Sequence, residues 1–146
     1  MRQRLLVIAP GTVEVVRCAG GWLCDRAMAG WDVTVLTARP AELRPLRILG
    51  ARAADLGPVL SVPVHGPQPQ ALAVAAELYG SDRRVRELVR NALADGVSDV
   101  QLWGDLDRGV PHRLSLAARA FKTQALAAVA ADDVTEIFGR RELVSL

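Results

Sequence analysis

LLVIAPGTVEVVRCAGGWLCDRAMAGWDVTVLT, residues 5–37, reads as a strand, a loop, a helix and a second strand. Leu5-Leu6-Val7-Ile8-Ala9 is wholly apolar and is stopped by Pro10-Gly11, the pattern of a strand buried on both faces. Val33-Thr34-Val35-Leu36-Thr37 has the β-branched content of a neighbouring strand. About 20 residues separate the two, too many for a tight hairpin, so a right-handed crossover through a helix connects them. The loop at Pro10 then lies at the carboxyl edge of a parallel sheet, where such folds bind ligands.

Composition agrees with a helix-covered sheet. The chain has 146 residues, the length of a single domain spanning 1–146, with 51% hydrophobic and only 4% aromatic residues. Ala, Val and Leu dominate, which suits close helix-on-sheet packing. The formal charge is only +2, so no nucleic-acid or membrane partner is expected; apart from Lys122 the basic residues are all Arg. Met1-Arg2-Gln3-Arg4 precedes an apolar run that Pro10 cuts short of the roughly 7–15 residues of a signal peptide. No segment approaches the roughly 18 apolar residues of a membrane span, and a soluble, cytoplasmic protein is expected. Cys18 and Cys24 lie on different faces of the predicted helix and are too far apart to bridge, so reduced, buried thiols are expected. With no CxxC pair, a structural zinc knuckle is not expected.

Along the chain, the first helix is expected from near Ala19-Gly20-Gly21 to Gly30, with Gly20 and Gly21 allowing close approach of helix to strand or of backbone to a ligand. Gly11, Gly20 and Gly21 have the spacing of neither a Walker A loop nor a GxGxxG fingerprint. A helix over 45–54, a third strand over 59–64 and a loop carrying His65 follow. Residues 70–79 read as a helix, and Ser81 is expected to cap another. In that helix Val85, Leu88, Val89, Ala92 and Leu93 form the buried face, and Arg83, Arg84, Arg86 and Arg90 the solvated one. Residues 97–103 read as the fourth strand, 105–112 as a polar loop, and 113–131 as an Ala-rich helix burying Leu114, Ala118, Phe121, Ala125 and Val129. That helix packs within the domain or against a second subunit, and the tail over 131–146 is either a last strand or a helical turn. The order predicts an α/β fold: a three-layer, Rossmann-like, doubly wound and mostly parallel sheet of about 4–5 strands.

In strand order 3-2-1-4 the first and fourth strands are neighbours, so their carboxyl-end loops flank one crevice. That places Gly11, Thr12 and Glu14 near Asp105, Asp107 and His112, a donor set suited to a divalent metal. Each residue also has a plainer reading: Glu14 favours a helix dipole, Asp105 and Asp107 suit turns, and His112 introduces the next helix. Trp22 and Trp31 read as core or crevice wall, and Trp103 is placed to stack on a ligand.

Pro10, Gly20-Gly21, Ala29-Gly30, Val33 and Thr37 fit a frame that resembles the opening of the PIG-L/LmbE-like N-acetylglucosaminyl deacetylases. Arg39, Glu42 and Leu49-Gly50 echo that family's next helix, and the loop ending in His112 stands where the family has its second histidine motif. The resemblance implies zinc and a carboxylate base. Aligned on Gly20-Gly21, the family's first metal-binding histidine falls on Gly11, its catalytic aspartate on Val13 and its second ligand on Glu14. In the second motif the family's first histidine falls on Gly109, its aspartate on Pro111, and its final metal-binding histidine matches His112. Only Glu14 and His112 therefore remain as metal ligands by resemblance. Three readings follow: a deacetylase-like binding or assembly module with no cofactor; a zinc-dependent deacetylase rebuilt on Glu14, Asp105 or Asp107, and His112; and a nucleotide or nucleotide-sugar binder using the short Asp105-Leu106-Asp107 pattern.

Overall fold

A computed structural model of the chain describes residues 3–61, 69–97, 99–104, 110–111, 116–129 and 137–139. The elements are β1 (Arg4–Ala9), α1 (Thr12–Met28), β2 (Asp32–Thr37), α2 (Leu43–Ile48), β3 (Arg52–Asp55), α3 (Leu56–Ser61), β4 (Ala71–Ala75), α4 (Ala76–Ser81), α5 (Arg83–Ala94), β5 (Asp99–Trp103), β6 (Val110–Pro111), α6 (Leu116–Val129) and β7 (Ile137–Gly139). They build one sheet in the order β3-β2-β1-β4-β5-β7-β6. The first five strands are parallel, and β7 runs antiparallel to both β5 and β6. This is the α/β, doubly wound, mostly parallel arrangement that the sequence predicts.

Apolar alternation on the central strands feeds two separate cores. Leu5, Val7 and Ala9 of β1, with Val33 and Val35 of β2, pack beneath Val15, Ala19, Trp22 and Leu23 of α1 and Leu46 of α2. Ile8 and Leu36 point to the other face, where they meet Val85, Val89 and Ala92 of α5. A third cluster joins α1 to α6 through Val16, Cys24, Ala125 and Leu126. Lys122 is fully buried at this helix pair and donates from Nζ to the Arg17 carbonyl at 2.9 Å, which meets part of the need of a charged group taken out of water.

The first crossover forms as its sequence predicts at its carboxyl end. Gly30 has φ 97°, the Trp31 amide donates to the Arg26 carbonyl and the Gly30 amide to the Ala27 carbonyl, both at 3.1 Å. That is the paired-bond stop for which a glycine in the left-handed region is suited. The start differs: α1 begins at Thr12, not near Ala19, because the chain turns directly from Ala9 through Pro10-Gly11 into helix.

Further along, several expectations are corrected. The third strand is Arg52–Asp55, and residues 59–61 of the expected strand over 59–64 belong to the helix Leu56–Ser61; the helix expected over 45–54 runs instead over Leu43–Ile48. Residues 62–68, including His65, lie outside the described residues. Ala71–Ala75, expected to be helical, is a strand buried along its whole length, and helix resumes only at Ala76. Ala125 is buried as expected, together with Lys122 and Leu126, whereas Phe121 is 39% exposed; the burial of Leu114, Ala118 and Val129 lies outside what is described. Cys24 is buried but Cys18 only half-buried, and neither forms a disulfide. Of the two alternatives for the tail, Ile137–Gly139 takes the strand. No helix among the described residues is long and apolar enough to cross a membrane.

α5 is capped by Asp82 rather than Ser81: Asp82 Oδ1 accepts from the Arg84 amide at 2.9 Å. Burial raises the Asp82 pKa, but hydrogen bonds from Arg84 and Val85 and the Arg84 charge outweigh it, holding the carboxyl below its ordinary value. A lowered pKa stabilises the fold above the unfolded value of about 3.9 and loses that contribution as pH falls through the folded value. Asp82→Ala is expected to cost about 1 kcal/mol in urea unfolding at pH 7. The difference from the parent should shrink in the same measurement as pH falls through the lowered folded-state pKa of Asp82.

Candidate functional site

The chain runs outward from β1 through β2 to β3, then returns to the other side of β1 to place β4 and β5. Winding therefore reverses between β1 and β4, and the crevice lies at their carboxyl ends. This corrects the expected neighbour of β1: Ala71–Ala75 stands between it and Asp99–Trp103, so the loop after Trp103 is one strand further away. The residues that follow β4 are Ala76 and the exposed Glu77, which are not among the residues the sequence picks out.

On the β1 side, Gly11 is the N-cap of α1 and makes no side-chain cap. Thr12 is 4% exposed, and its Oγ1 accepts from the Glu42 amide at 2.8 Å, tying the start of α1 to the N-cap of α2. Glu14 stands in the first turn of α1, and both its carboxylate oxygens accept from Arg39 Nη2, Oε2 at 2.7 Å. The backbone fixes where Arg39 starts: Ala38 and Arg39 amides donate to the Ala9 and Pro10 carbonyls, each at 3.0 Å, so the β1–β2 pairing continues past the strand ends. The loops after β1 and β2 are thus clamped together by two backbone bonds, one buried hydroxyl and one ion pair. Below them Thr37 is buried opposite Ala9 in the strand register, and its Oγ1 has no hydrogen-bond partner.

Of the predicted site residues, Gly11, Thr12 and Glu14 come together here. Gly20 and Gly21 do not: they lie inside α1, and Gly20 is roughly 13 Å along the axis from Gly11 by helical rise. A Cβ on Gly20 would sit 3.2 Å from Leu49 Cδ1, so this glycine serves the packing of α1 against the end of α2. Asp105, Asp107 and His112 lie outside the described residues. Trp103 is 1% exposed, with Nε1 donating to the Ala73 carbonyl at 3.4 Å, which makes it a core residue and not a ligand platform. Trp22 and Trp31 flank Arg26 at 5.1 and 5.2 Å near the far end of α1, well away from the crevice.

The described residues at the start of α1 do not by themselves make a zinc centre. No group of three or more His, Cys, Asp or Glu able to hold a metal occurs among the described residues. Glu14, the acidic group in the first turn of α1, is already neutralised by Arg39. Val13, one residue earlier, is 38% exposed and carries no group that titrates.

No family model and no curated protein sequence matches the chain. Solved structures do match. An antimicrobial pseudoaglycone deacetylase superposes with a TM-score of 0.62 at 18% identity, over 89% of this chain and 82% of that one. The zinc-inhibited form of a teicoplanin deacetylase superposes with a TM-score of 0.57 at 16% identity, over 86% and 83% of the two chains. The 4-carboxy-2-hydroxymuconate hydratase of Pseudomonas putida gives a TM-score of 0.60 at 16% identity, over 98% and 82%.

The clamp between the two loops is open to direct test. Thr12→Val keeps the volume but leaves the Glu42 amide without its acceptor, and should lower stability by about 1–2 kcal/mol in urea unfolding.

Proposed function

The chain has the fold of the LmbE/PIG-L-like deacetylases, and we propose that it uses the crevice of that fold to bind a small-molecule or protein ligand and not to hydrolyse an amide through a metal. One observation carries this reading: the first turn of α1 offers the crevice Gly11, Val13 and a Glu14 already held by Arg39. Metal-dependent amide hydrolysis requires a metal that acidifies water and a base that takes its proton. By the resemblance, Gly11 stands at a ligand position and Val13 at that of the base; neither side chain performs the task. The fold does not impose the reaction, since a hydratase shares it. What remains intact is the scaffold of a binding site: a reversal of winding, a buried floor and two loops clamped at the carboxyl edge.

The second reading, a rebuilt zinc deacetylase using Glu14, Asp105 or Asp107, and His112, draws on the family resemblance and on a teicoplanin deacetylase of this fold that takes up zinc in an inhibited form. The two readings separate on metal content. The protein purified without chelator is expected to contain no stoichiometric zinc and to release no amine from N-acetylglucosamine derivatives. Stoichiometric zinc together with turnover, both abolished by His112→Ala, would establish the second reading and overturn the first.

A further inference from the structure

The crevice carries a cation of its own. Arg39 Nη2 bonds both oxygens of Glu14, and the rest of the guanidinium lies against the bare Cα of Gly11. A Cβ at position 11 would lie 2.7 Å from Nη2, 3.1 Å from Nε and 3.2 Å from Cζ. Gly11 has φ −166° and ψ 177°, extended backbone open to any residue, so its glycine is not required by conformation. What the missing side chain provides is room for the guanidinium.

We infer that Arg39 is a tethered substitute for a metal ion: its guanidinium satisfies Glu14 and fills the space over Gly11, and thereby excludes a divalent cation from the first turn of α1. The inference deepens the functional reading above, on which it rests. An ionised carboxylate in a crevice is a ligand for a hard or borderline dication only while its oxygens are available. Here both oxygens accept from one nitrogen. A guanidinium has no lone pair to offer a metal and does not deprotonate in proteins, so it cannot join a coordination sphere and it repels a second positive charge. Side-chain exposures of 62% for Arg39 and 28% for Glu14 mean that water screens the pair, so exclusion depends on occupancy of the place as much as on charge. Gly11 and Arg39 act as one unit, because a side chain at position 11 competes with the guanidinium for the same place while Arg39 stays within reach of Glu14.

The test is a Co2+ titration, followed by visible absorption and calorimetry, of the full chain and of Arg39→Gln, Gly11→His and the Gly11→His/Arg39→Gln double variant. Positions 11 and 14 lie three apart at the helix start, a spacing that lets two side chains share one ion. The double variant is expected to bind Co2+ at least about tenfold more tightly than Gly11→His alone, and to lose the gain on Glu14→Gln. A double variant no tighter than Gly11→His overturns the inference. Should substitution at Gly11 prevent folding, Arg39→Gln by itself decides: Co2+ should raise its melting temperature and leave the parent's unchanged, and an equal response of both would overturn the proposal. Zinc and turnover in the parent, unaffected by Glu14→Gln, would instead sink the functional reading and leave the role of Arg39 standing.

Discussion

Val7, Ile8 and Ala9 have no solvent exposure, because β1 is paired along both edges and covered on both faces. A strand in that position can satisfy its amides and carbonyls only through its ladders, and its side chains only through helices above and below. The rest follows from this. Val7 and Ala9 demand α1 on one side, Ile8 demands α5 on the other, and the connections must cross over to keep the strands parallel. Crossovers on both faces require the winding to reverse somewhere, and it reverses beside β1. The crevice is a geometrical consequence of burying the first strand completely.

What occupies the crevice is a matter of local charge. In a fold shared with deacetylases, the turn after the first strand has no side chain at Gly11, no titratable group at Val13 and a carboxylate at Glu14 bound to a guanidinium from the next loop. The same contacts that neutralise Glu14 also stiffen the edge, since Arg39 and Glu42 both come from the segment between β2 and α2 and both reach back to the start of α1. Ligand sites are usually largely preformed, and the proposed one is held by the loops themselves.

The elements legible in the sequence were those whose local chemistry and burial agree. Leu5 to Ala9, the stop at Gly30 and Val33 to Thr37 read correctly, since an apolar run, a left-handed glycine and a β-branched run each say one thing. The amphipathic face of α5 read correctly for the same reason at Val85, Val89 and Ala92, which are buried; Leu93, expected on that face, is 45% exposed, and the cap is Asp82 in place of Ser81. β4 was illegible. Ala71-Leu72-Ala73-Val74-Ala75 has a helix former's composition, yet all five residues are buried in the sheet between β1 and β5. Small side chains are tolerated there because α1 and Trp103 already fill the space beside Ala73 and Ala75. Tertiary packing overrode propensity, as it often does for strands. Missing that strand displaced the crevice by one position and hid Glu77.

Arg39 shows the same division within the site. Its presence just after the second strand is plain in the sequence, but nothing local says that its guanidinium reaches across to Gly11 and Glu14, 28 and 25 positions away. The chain by itself determined the class of fold and the loop at the carboxyl edge of its first strand, because both arise from periodicity, chain stops and crossover length. Only the tertiary structure decided which strand adjoins the first and which cation meets Glu14. Strand adjacency and charge pairing depend on distances between segments far apart in sequence, and those exist only once the sheet has brought its carboxyl edges together.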